Sequence, residues 1–214
     1  MEKTLRITEI FYSLQGESNT VGLPTVFIRL TGCPLRCNYC DTAYAFSGGK
    51  KQTISAIVEQ VDQYNAKYIT VTGGEPLAQS ACHQLMTVLL DKGYIVSLET
   101  SGALDVSAVD DRAVKVMDLK TPASAEMDKN LYQNIEYLSE KDQVKFVIAD
   151  DKDYQWSKSI LQQYDLVNRC EILFSPVMGE MSPRVLAENI IQDNLPVRFQ
   201  IQLHKYLWDD AQGK

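Results

Sequence analysis

The sequence predicts an α/β fold in which a parallel sheet forms a partial, abbreviated (β/α) barrel. Short apolar runs alternate with amphipathic stretches along the 214 residues, and such alternation is typical of strand and helix units around a parallel sheet. No linker rich in Pro, Gly or Ser divides the chain. Because the length falls short of the roughly 250 residues of eight full units, we expect fewer units. A single domain over residues 1–214 is therefore predicted.

The elements are assigned from the spacing of their apolar residues. The run TVFIRL at 25–30 predicts a buried strand, TISAIVEQVDQY at 53–64 a helix, and YITVT at 68–72 a strand. A helix follows at 80–93 and ends at Gly93. The remaining predicted elements are strands at 94–100, 113–119, 143–149, 171–175 and 197–203, and helices near 152–164 and 183–192.

The composition indicates a globular protein that acts on a small molecule. The hydrophobic fraction is 45% and the charged fraction 23%, both near the averages for globular proteins. A net charge of -7 argues against binding of nucleic acid, whose backbone needs a basic surface. No apolar run approaches the roughly 18 residues of a membrane span, and the five cysteines cannot all pair. We therefore expect a cytoplasmic protein without a membrane or nucleic-acid partner.

Unusual residues follow the predicted strand ends, which locates a functional face. In parallel barrels the chemistry gathers at the carboxyl ends of the strands. The segments at these ends are Cys33, TGGEP at 72–76, ETSG at 99–102, DLK at 118–120, SP at 175–176, and His204. We expect them to share one rim of the sheet.

Three cysteines, Cys33, Cys37 and Cys40, form a CxxxCxxC motif. Thiolates are soft ligands that suit zinc and iron–sulfur clusters, and this spacing lets one loop wrap three of them around one centre. A closed structural zinc site needs a fourth ligand, and none lies close along the sequence. The candidates for such a distant fourth ligand are Cys82, Cys170 and His204.

The spacing resembles that of the radical S-adenosylmethionine (radical SAM) superfamily, and the GGE at 73–75 resembles a second motif of that superfamily. The resemblance implies a radical SAM type of barrel, a 4Fe–4S cluster held by the three cysteines, and bound S-adenosylmethionine. Gly73 and Gly74 would allow a close backbone approach to the methionine part, and Glu75 offers an anionic partner for its ammonium group. The other implied cofactor contacts are Tyr39, Cys40, Asp41, Ser101, Asp118, Leu119, Lys120, Ser175, Pro176, Val177 and Met178.

Two further segments indicate which family of the superfamily the chain resembles. EIFYSLQGES at 9–18 and QLHKYLW at 202–208, together with the cysteine segment, look like the 7-carboxy-7-deazaguanine synthase family. The implied activity is a lyase reaction that contracts the ring of 6-carboxy-5,6,7,8-tetrahydropterin to 7-carboxy-7-deazaguanine with loss of ammonia, in the biosynthesis of 7-deazapurines such as queuosine. The resemblance also implies a homodimer and an electron donor of the flavodoxin or ferredoxin type.

A pterin carries a carboxylate and an edge of donors and acceptors, so its pocket needs a cation and amide-like groups. Arg29 is the best candidate for the carboxylate, because its fork makes bidentate pairs. Thr42 matches the family position that ligates Mg²⁺, an ion that takes oxygen ligands. The other implied substrate contacts are Leu14, Gln15, Gly16, Glu17, Thr72 and His204. The alternatives are an ordinary turn at LQGE and a surface ion pair for Arg29.

Two other functions remain open from the sequence. A radical SAM activase, which makes a glycyl radical on a partner protein, shares the cysteine and GGE motifs but does not need LQGE or Arg29. The second alternative is a non-enzymatic iron–sulfur or zinc protein, which would contain a fully ligated metal and would not bind S-adenosylmethionine.

Overall fold

The computed structural model describes residues 2–209 and 211–213, which form a nine-stranded sheet flanked by helices. The strands are β1 Thr4–Leu14, β2 Pro24–Leu30, β3 Lys50–Thr53, β4 Tyr68–Gly73, β5 Ile95–Thr100, β6 Val114–Asp118, β7 Gln143–Ile148, β8 Glu171–Pro176 and β9 Arg198–Phe199. The helices are α1 Ile54–Asp62, α2 Ala81–Asp91, α3 Asp151–Gln163, α4 Pro183–Gln192 and α5 Leu203–Trp208. Among these helices, none combines the length and the apolar composition needed to cross a membrane.

The sheet has the order β3-β1-β2-β4-β5-β6-β7-β8-β9. From β2 through β9 the neighbours are parallel, which confirms the predicted α/β fold. The sheet also has an antiparallel edge that the sequence analysis did not identify, because β1 pairs antiparallel with both β2 and β3. The short connection 15–23 allows only a hairpin between β1 and β2, since a parallel pair needs a longer crossover. Among the described residues β3 and β9 each pair on one side only, so the barrel is partial.

The two faces of the sheet differ in chemistry because side chains alternate along each strand. One face is apolar and packs against the helices, forming two clusters of buried residues. Its members include Ile28, Val71, Leu98, Met117 and Phe146. The opposite face carries polar side chains that line a cavity, among them Arg29, Thr72, Glu99, Asp118 and Lys145. The core therefore lies under the helices and leaves the other face free for function.

The strand predicted at 197–203 was wrong in extent, since β9 contains only Arg198–Phe199. The ladder ends at Gln200, whose side chain accepts a hydrogen bond from the Ser18 amide at 2.8 Å and donates to the Ser18 carbonyl at 2.7 Å. The chain then turns into α5. His204 consequently lies on a helix and not at a strand end.

Candidate active site

A cavity of about 380 Å³ opens at the carboxyl ends of the parallel strands. It has the size of a small-molecule site. The three cysteines and Thr42 line it. So do all seven residues predicted to contact the substrate: Leu14, Gln15, Gly16, Glu17, Arg29, Thr72 and His204. The structure thus brings the CxxxCxxC and LQGE segments to one site, although they follow opposite ends of the antiparallel pair β1 and β2.

The cysteine loop presents three free, partly exposed thiols to the cavity. The donor set fits an iron–sulfur cluster, which takes thiolate ligands. Within residues 2–209 and 211–213, no three Cys, His, Asp or Glu side chains converge closely enough to coordinate one single metal ion, whereas the cysteines of a 4Fe–4S cluster each bind a different iron. Cys82 and Cys170 are buried in the two helix-packed clusters and do not line the cavity. This arrangement does not favour a closed zinc site completed by a distant cysteine.

Hydrogen bonds from the segment after β6 hold the cysteine loop in place. The Asn38 amide donates to the Ser124 carbonyl at 3.1 Å. The Tyr39 hydroxyl lies 3.1 Å from the Thr121 hydroxyl, which in turn donates to the fully buried Asp153 at 3.0 Å. Burial raises the pKa of Tyr39 to about 12, so its phenol stays neutral. These contacts join the cysteine loop to the segment that follows β6 and to α3.

Gly73 and Gly74 lie where the end of β4 meets the cysteine loop. A Cβ at Gly73 would come within 2.9 Å of the Leu30 amide nitrogen, and one at Gly74 within 2.7 Å of the Cys33 Cβ. The next amide, that of Glu75, donates to the Gly32 carbonyl at 2.8 Å. Glycine is required here for close packing of the protein on itself, a reason that the sequence motif alone did not reveal.

Glu75 is placed differently from its predicted role. Its buried carboxylate accepts hydrogen bonds from the Leu77 amide at 3.0 Å, the Thr100 hydroxyl at 3.0 Å and the Ser101 amide at 2.7 Å. These bonds fix the end of β5 next to the cavity. Because the carboxylate is engaged within the protein and does not line the cavity, this arrangement does not support an ion pair between Glu75 and an ammonium group.

The other predicted cofactor contacts divide into two groups. Leu119, Ser175 and Pro176 are buried and do not line the cavity, because they lie within the packed ends of β6 and β8. The structure thus does not support contacts from their side chains to a ligand. The remaining ones line the cavity: Tyr39, Cys40, Asp41, Gly73, Gly74, Ser101, Asp118, Lys120, Val177 and Met178.

Arg29 combines an ion pair with free donors. Its Nε donates to Glu9 Oε1 at 2.7 Å, and the Tyr44 hydroxyl donates to the same oxygen at 2.8 Å. The guanidinium also lies 5.9 Å from the centroid of the Phe11 ring. Within the described residues its two terminal nitrogens have no hydrogen-bond partner. The predicted ion pair and the predicted anion site are therefore compatible, since Glu9 orients a guanidinium whose two terminal nitrogens are unpaired among the described residues.

The sequence analysis placed the segment ETSG, which begins with Glu99, at the active rim but did not predict a role for Glu99 itself. It accepts hydrogen bonds from Thr72 Oγ1 at 3.0 Å and from Gln15 Nε2 at 3.3 Å. Burial raises the pKa of the Glu99 carboxyl; Lys145 opposes this shift, and the charge of Glu17 adds to it. The same Gln15 nitrogen also donates to Thr70 Oγ1 at 3.0 Å. Its hydrogen-bond donors are therefore engaged by residues of the protein.

Lys145 was also missed, because it sits inside the apolar run QVKFVIA. Its Nζ lies 2.9 Å from Glu17 Oε2 and 3.5 Å from Asp118 Oδ2. Lys120 pairs with the same Asp118 oxygen at 3.0 Å. Although burial lowers it, the pKa of Lys145 is raised well above its ordinary value by Glu17, Asp118 and Glu99. The floor of the cavity is therefore a network of paired charges.

Helix α5 closes one side of the cavity. Its His204 packs against Gly16, where any Cβ would overlap the imidazole. The next residue, Lys205, reaches the cysteine loop, and its Nζ lies 3.1 Å from Asp41 Oδ2. The helix thereby joins the LQGE segment to the loop that carries the thiols.

Comparison with known proteins gives consistent results. Residues 27–162 match the model of the radical SAM superfamily. The chain is 44% identical to the 7-carboxy-7-deazaguanine synthase of Chlorobaculum tepidum over 99% of its own length and 98% of that protein. It is 37% identical to the enzyme of the same name from Koribacter versatilis, covering 95% and 97% of the two chains. The crystal structure of QueE from Escherichia coli has the same fold, with a TM-score of 0.77, 22% identity, and coverage of 94% and 95%.

Proposed function

Since the chain belongs to the 7-carboxy-7-deazaguanine synthase family of the radical SAM superfamily, we propose that it catalyses the reaction for which this family is named. It would convert 6-carboxy-5,6,7,8-tetrahydropterin to 7-carboxy-7-deazaguanine with loss of ammonia. The observation that carries this proposal is that one cavity brings three free thiols together with the terminal nitrogens of Arg29 and the Glu17 and Glu99 carboxylates. A pterin acid needs such a combination of cation and acceptors.

At one end of the cavity Cys33, Cys37 and Cys40 would hold a 4Fe–4S cluster. The reduced cluster and S-adenosylmethionine would supply the radical that starts the ring contraction. The chain's part is to bind and orient this cofactor, with the backbone of Gly73 and Gly74 on one side. The further proposed contacts are Tyr39, Asp41, Ser101, Asp118, Lys120, Val177 and Met178.

At the other end Arg29 would bind the carboxylate of the pterin with its two terminal nitrogens, because Glu9 already occupies Nε. Glu17 and Glu99 would accept hydrogen bonds from the ring nitrogens. Glu99 has a raised pKa and is thus the carboxyl best suited to exchange a proton with the ring. Thr72, Leu14, Gly16 and His204 complete the proposed substrate contacts.

Mg²⁺ would bind at Thr42, whose hydroxyl now donates to Asp41 Oδ1 at 2.8 Å. Oxygen donors of this kind, together with a substrate carboxylate and water, suit an octahedral Mg²⁺ ion. The broader assignments are part of the same proposal. They are one radical SAM domain over residues 1–214, a cytoplasmic homodimer, a flavodoxin or ferredoxin as electron donor, and a product that enters queuosine-type biosynthesis. Residues 1, 210 and 214 of this domain lie outside the described residues.

The test is anaerobic turnover of the reconstituted protein with dithionite, S-adenosylmethionine, Mg²⁺ and 6-carboxy-5,6,7,8-tetrahydropterin, followed by mass spectrometry. We expect 7-carboxy-7-deazaguanine without stoichiometric consumption of S-adenosylmethionine, and no product from the Cys40→Ala variant. Formation of only 5'-deoxyadenosine and methionine would refute the substrate and favour an activase. Failure to bind S-adenosylmethionine at all, with a complete cluster, would favour a non-enzymatic iron–sulfur protein.

A further inference from the structure

Lys145 lies between two carboxylates that come from different parts of the site. Asp118 and Lys145 are direct neighbours across β6 and β7, whereas Glu17 belongs to the connection between β1 and β2. The Lys145 ammonium group contacts both, at 2.9 Å to Glu17 and 3.5 Å to Asp118. It is 8% exposed, so water does little to screen these contacts.

Each carboxylate keeps one oxygen without a partner. Glu17 Oε1 and Asp118 Oδ1 are buried and make no hydrogen bond to any residue in the described part of the chain. Both residues line the cavity. Buried acceptors are normally satisfied, and an unpaired acceptor on a residue that lines the cavity is suited to a donor on a ligand.

We propose that Lys145 is a positioning residue that holds Glu17 and Asp118 with one oxygen each available, and thereby serves the substrate and the cofactor at the same time. This inference rests on the proposed function. The N–H groups of a pterin need an acceptor at the LQGE end, where Glu17 lies. The hydroxyl and ammonium groups of S-adenosylmethionine need one at the DLK end, where Asp118 lies.

A cation is required at this point because three carboxylates surround it. Without the Lys145 charge, the Glu17, Glu99 and Asp118 carboxylates would repel one another with little screening by water. Glu17 and Asp118 would then turn away from the positions in which they can accept hydrogen bonds from a ligand. Lys120 supports Asp118 independently at 3.0 Å, whereas no second cation pairs with Glu17 among the described residues. The substrate end therefore depends on Lys145 more strongly than the cofactor end.

The experiment measures two affinities of the anaerobically reconstituted protein by calorimetry: S-adenosylmethionine alone, then 6-carboxytetrahydropterin in the presence of S-adenosylmethionine. The variants are K145M and K145R. The matched control is K115M, because Lys115 is a buried lysine paired with Asp142 at 3.2 Å and does not line the cavity. Iron content and circular dichroism establish that each variant is folded and loaded.

We expect K145M to weaken pterin binding about 30-fold or more, the effect of removing one member of a buried ion pair. Binding of S-adenosylmethionine should weaken about 3- to 10-fold, the effect of one ordinary hydrogen bond. K145R should recover part of both losses, and K115M should leave both affinities within about twofold of the unaltered protein.

The proposal is overturned if folded, cluster-loaded K145M keeps either affinity unchanged, or if K115M shows the same losses, which would make the effect a general one on stability. Absence of pterin binding to the unaltered protein would instead refute the proposed function. The affinity of K145M for S-adenosylmethionine would then still decide whether Lys145 positions Asp118.

Discussion

Replacing Gly74 by alanine should prevent the cysteine loop from holding its metal cluster. The added Cβ would lie 2.7 Å from the Cys33 Cβ and 2.8 Å from the Gly32 carbonyl carbon, whereas carbon atoms normally approach to about 3.5–4.0 Å. The loop must therefore move by about 1 Å. Metal–ligand distances tolerate only about 0.2 Å. We expect the affinity for the cluster to fall about tenfold or more and the melting temperature of the apo-protein to fall by roughly 3–10 °C.

The assay is iron and sulfide content per chain after anaerobic reconstitution, together with thermal unfolding of the apo-protein. Gly93→Ala is the matched control, since Gly93 has a φ of +89° with nothing within 4 Å of an added Cβ, and strain there should cost about 1–2 kcal/mol. The control should lose stability and keep its full cluster content. A Gly74→Ala protein with normal iron content and stability would show that the contact between β4 and the cysteine loop is not needed.

Three further predictions follow from the site. Cys82→Ala should keep full iron content and lose about 1–2 kcal/mol of stability, because Cys82 is buried in the core. Cys40→Ala should lose the cluster. Loss of iron in the Cys82 variant would refute the assignment of three cysteine ligands. Arg29→Ala should weaken pterin binding about 30-fold or more without affecting S-adenosylmethionine affinity, and an unchanged pterin affinity would remove Arg29 from its role. As the pH rises from about 5 to 8, the melting temperature of Glu99→Gln should increase relative to that of the unaltered protein. The pKa of Glu99 is raised in the folded protein, so ionisation of its carboxyl costs folding free energy even though Lys145 stabilises the charge in part. A difference in melting temperature that shrinks as the pH rises would contradict this reasoning.

The helix-packed half of the fold could be predicted because its signals are local. Runs such as those of β4 and β7 are apolar and short, and α2 follows its predicted range closely. The missed strand β1 has a mixed burial pattern, and its partner β3 is short and largely exposed. Neither has the continuous apolar run by which a buried strand is recognised. Pairing with β2 holds β1 in the sheet, and no continuous apolar run within β1 itself indicates this pairing.

The candidate site shows a similar division. The cysteine spacing and the strand ends predicted which residues share the cavity, and the structure brings most of them together. What the side chains do could not be predicted, because hydrogen bonds depend on partners distant in sequence. The Glu75 carboxylate, for example, accepts hydrogen bonds from Thr100 and Ser101 at the end of β5. Conversely, Lys145 is 128 positions from Glu17. Nothing in the run QVKFVIA distinguishes this lysine, which faces the cavity, from a solvent-exposed lysine on a strand.

Hydrogen-bond satisfaction, and not burial or charge, distinguishes Lys145, for which we propose a positioning role, from Lys115. Lys115 and Lys145 are both buried on neighbouring strands and both pair with a carboxylate. The Asp142 partner of Lys115 is fully used, because it also accepts bonds from the Lys115 amide at 2.7 Å and the Ser139 amide at 2.9 Å. By contrast, Oε1 of Glu17, the partner of Lys145, has no hydrogen-bond partner in the described part of the chain. A buried ion pair whose carboxylate is fully hydrogen-bonded has no acceptor left for a ligand, whereas the Lys145 pair keeps an unpaired acceptor on a residue that lines the cavity.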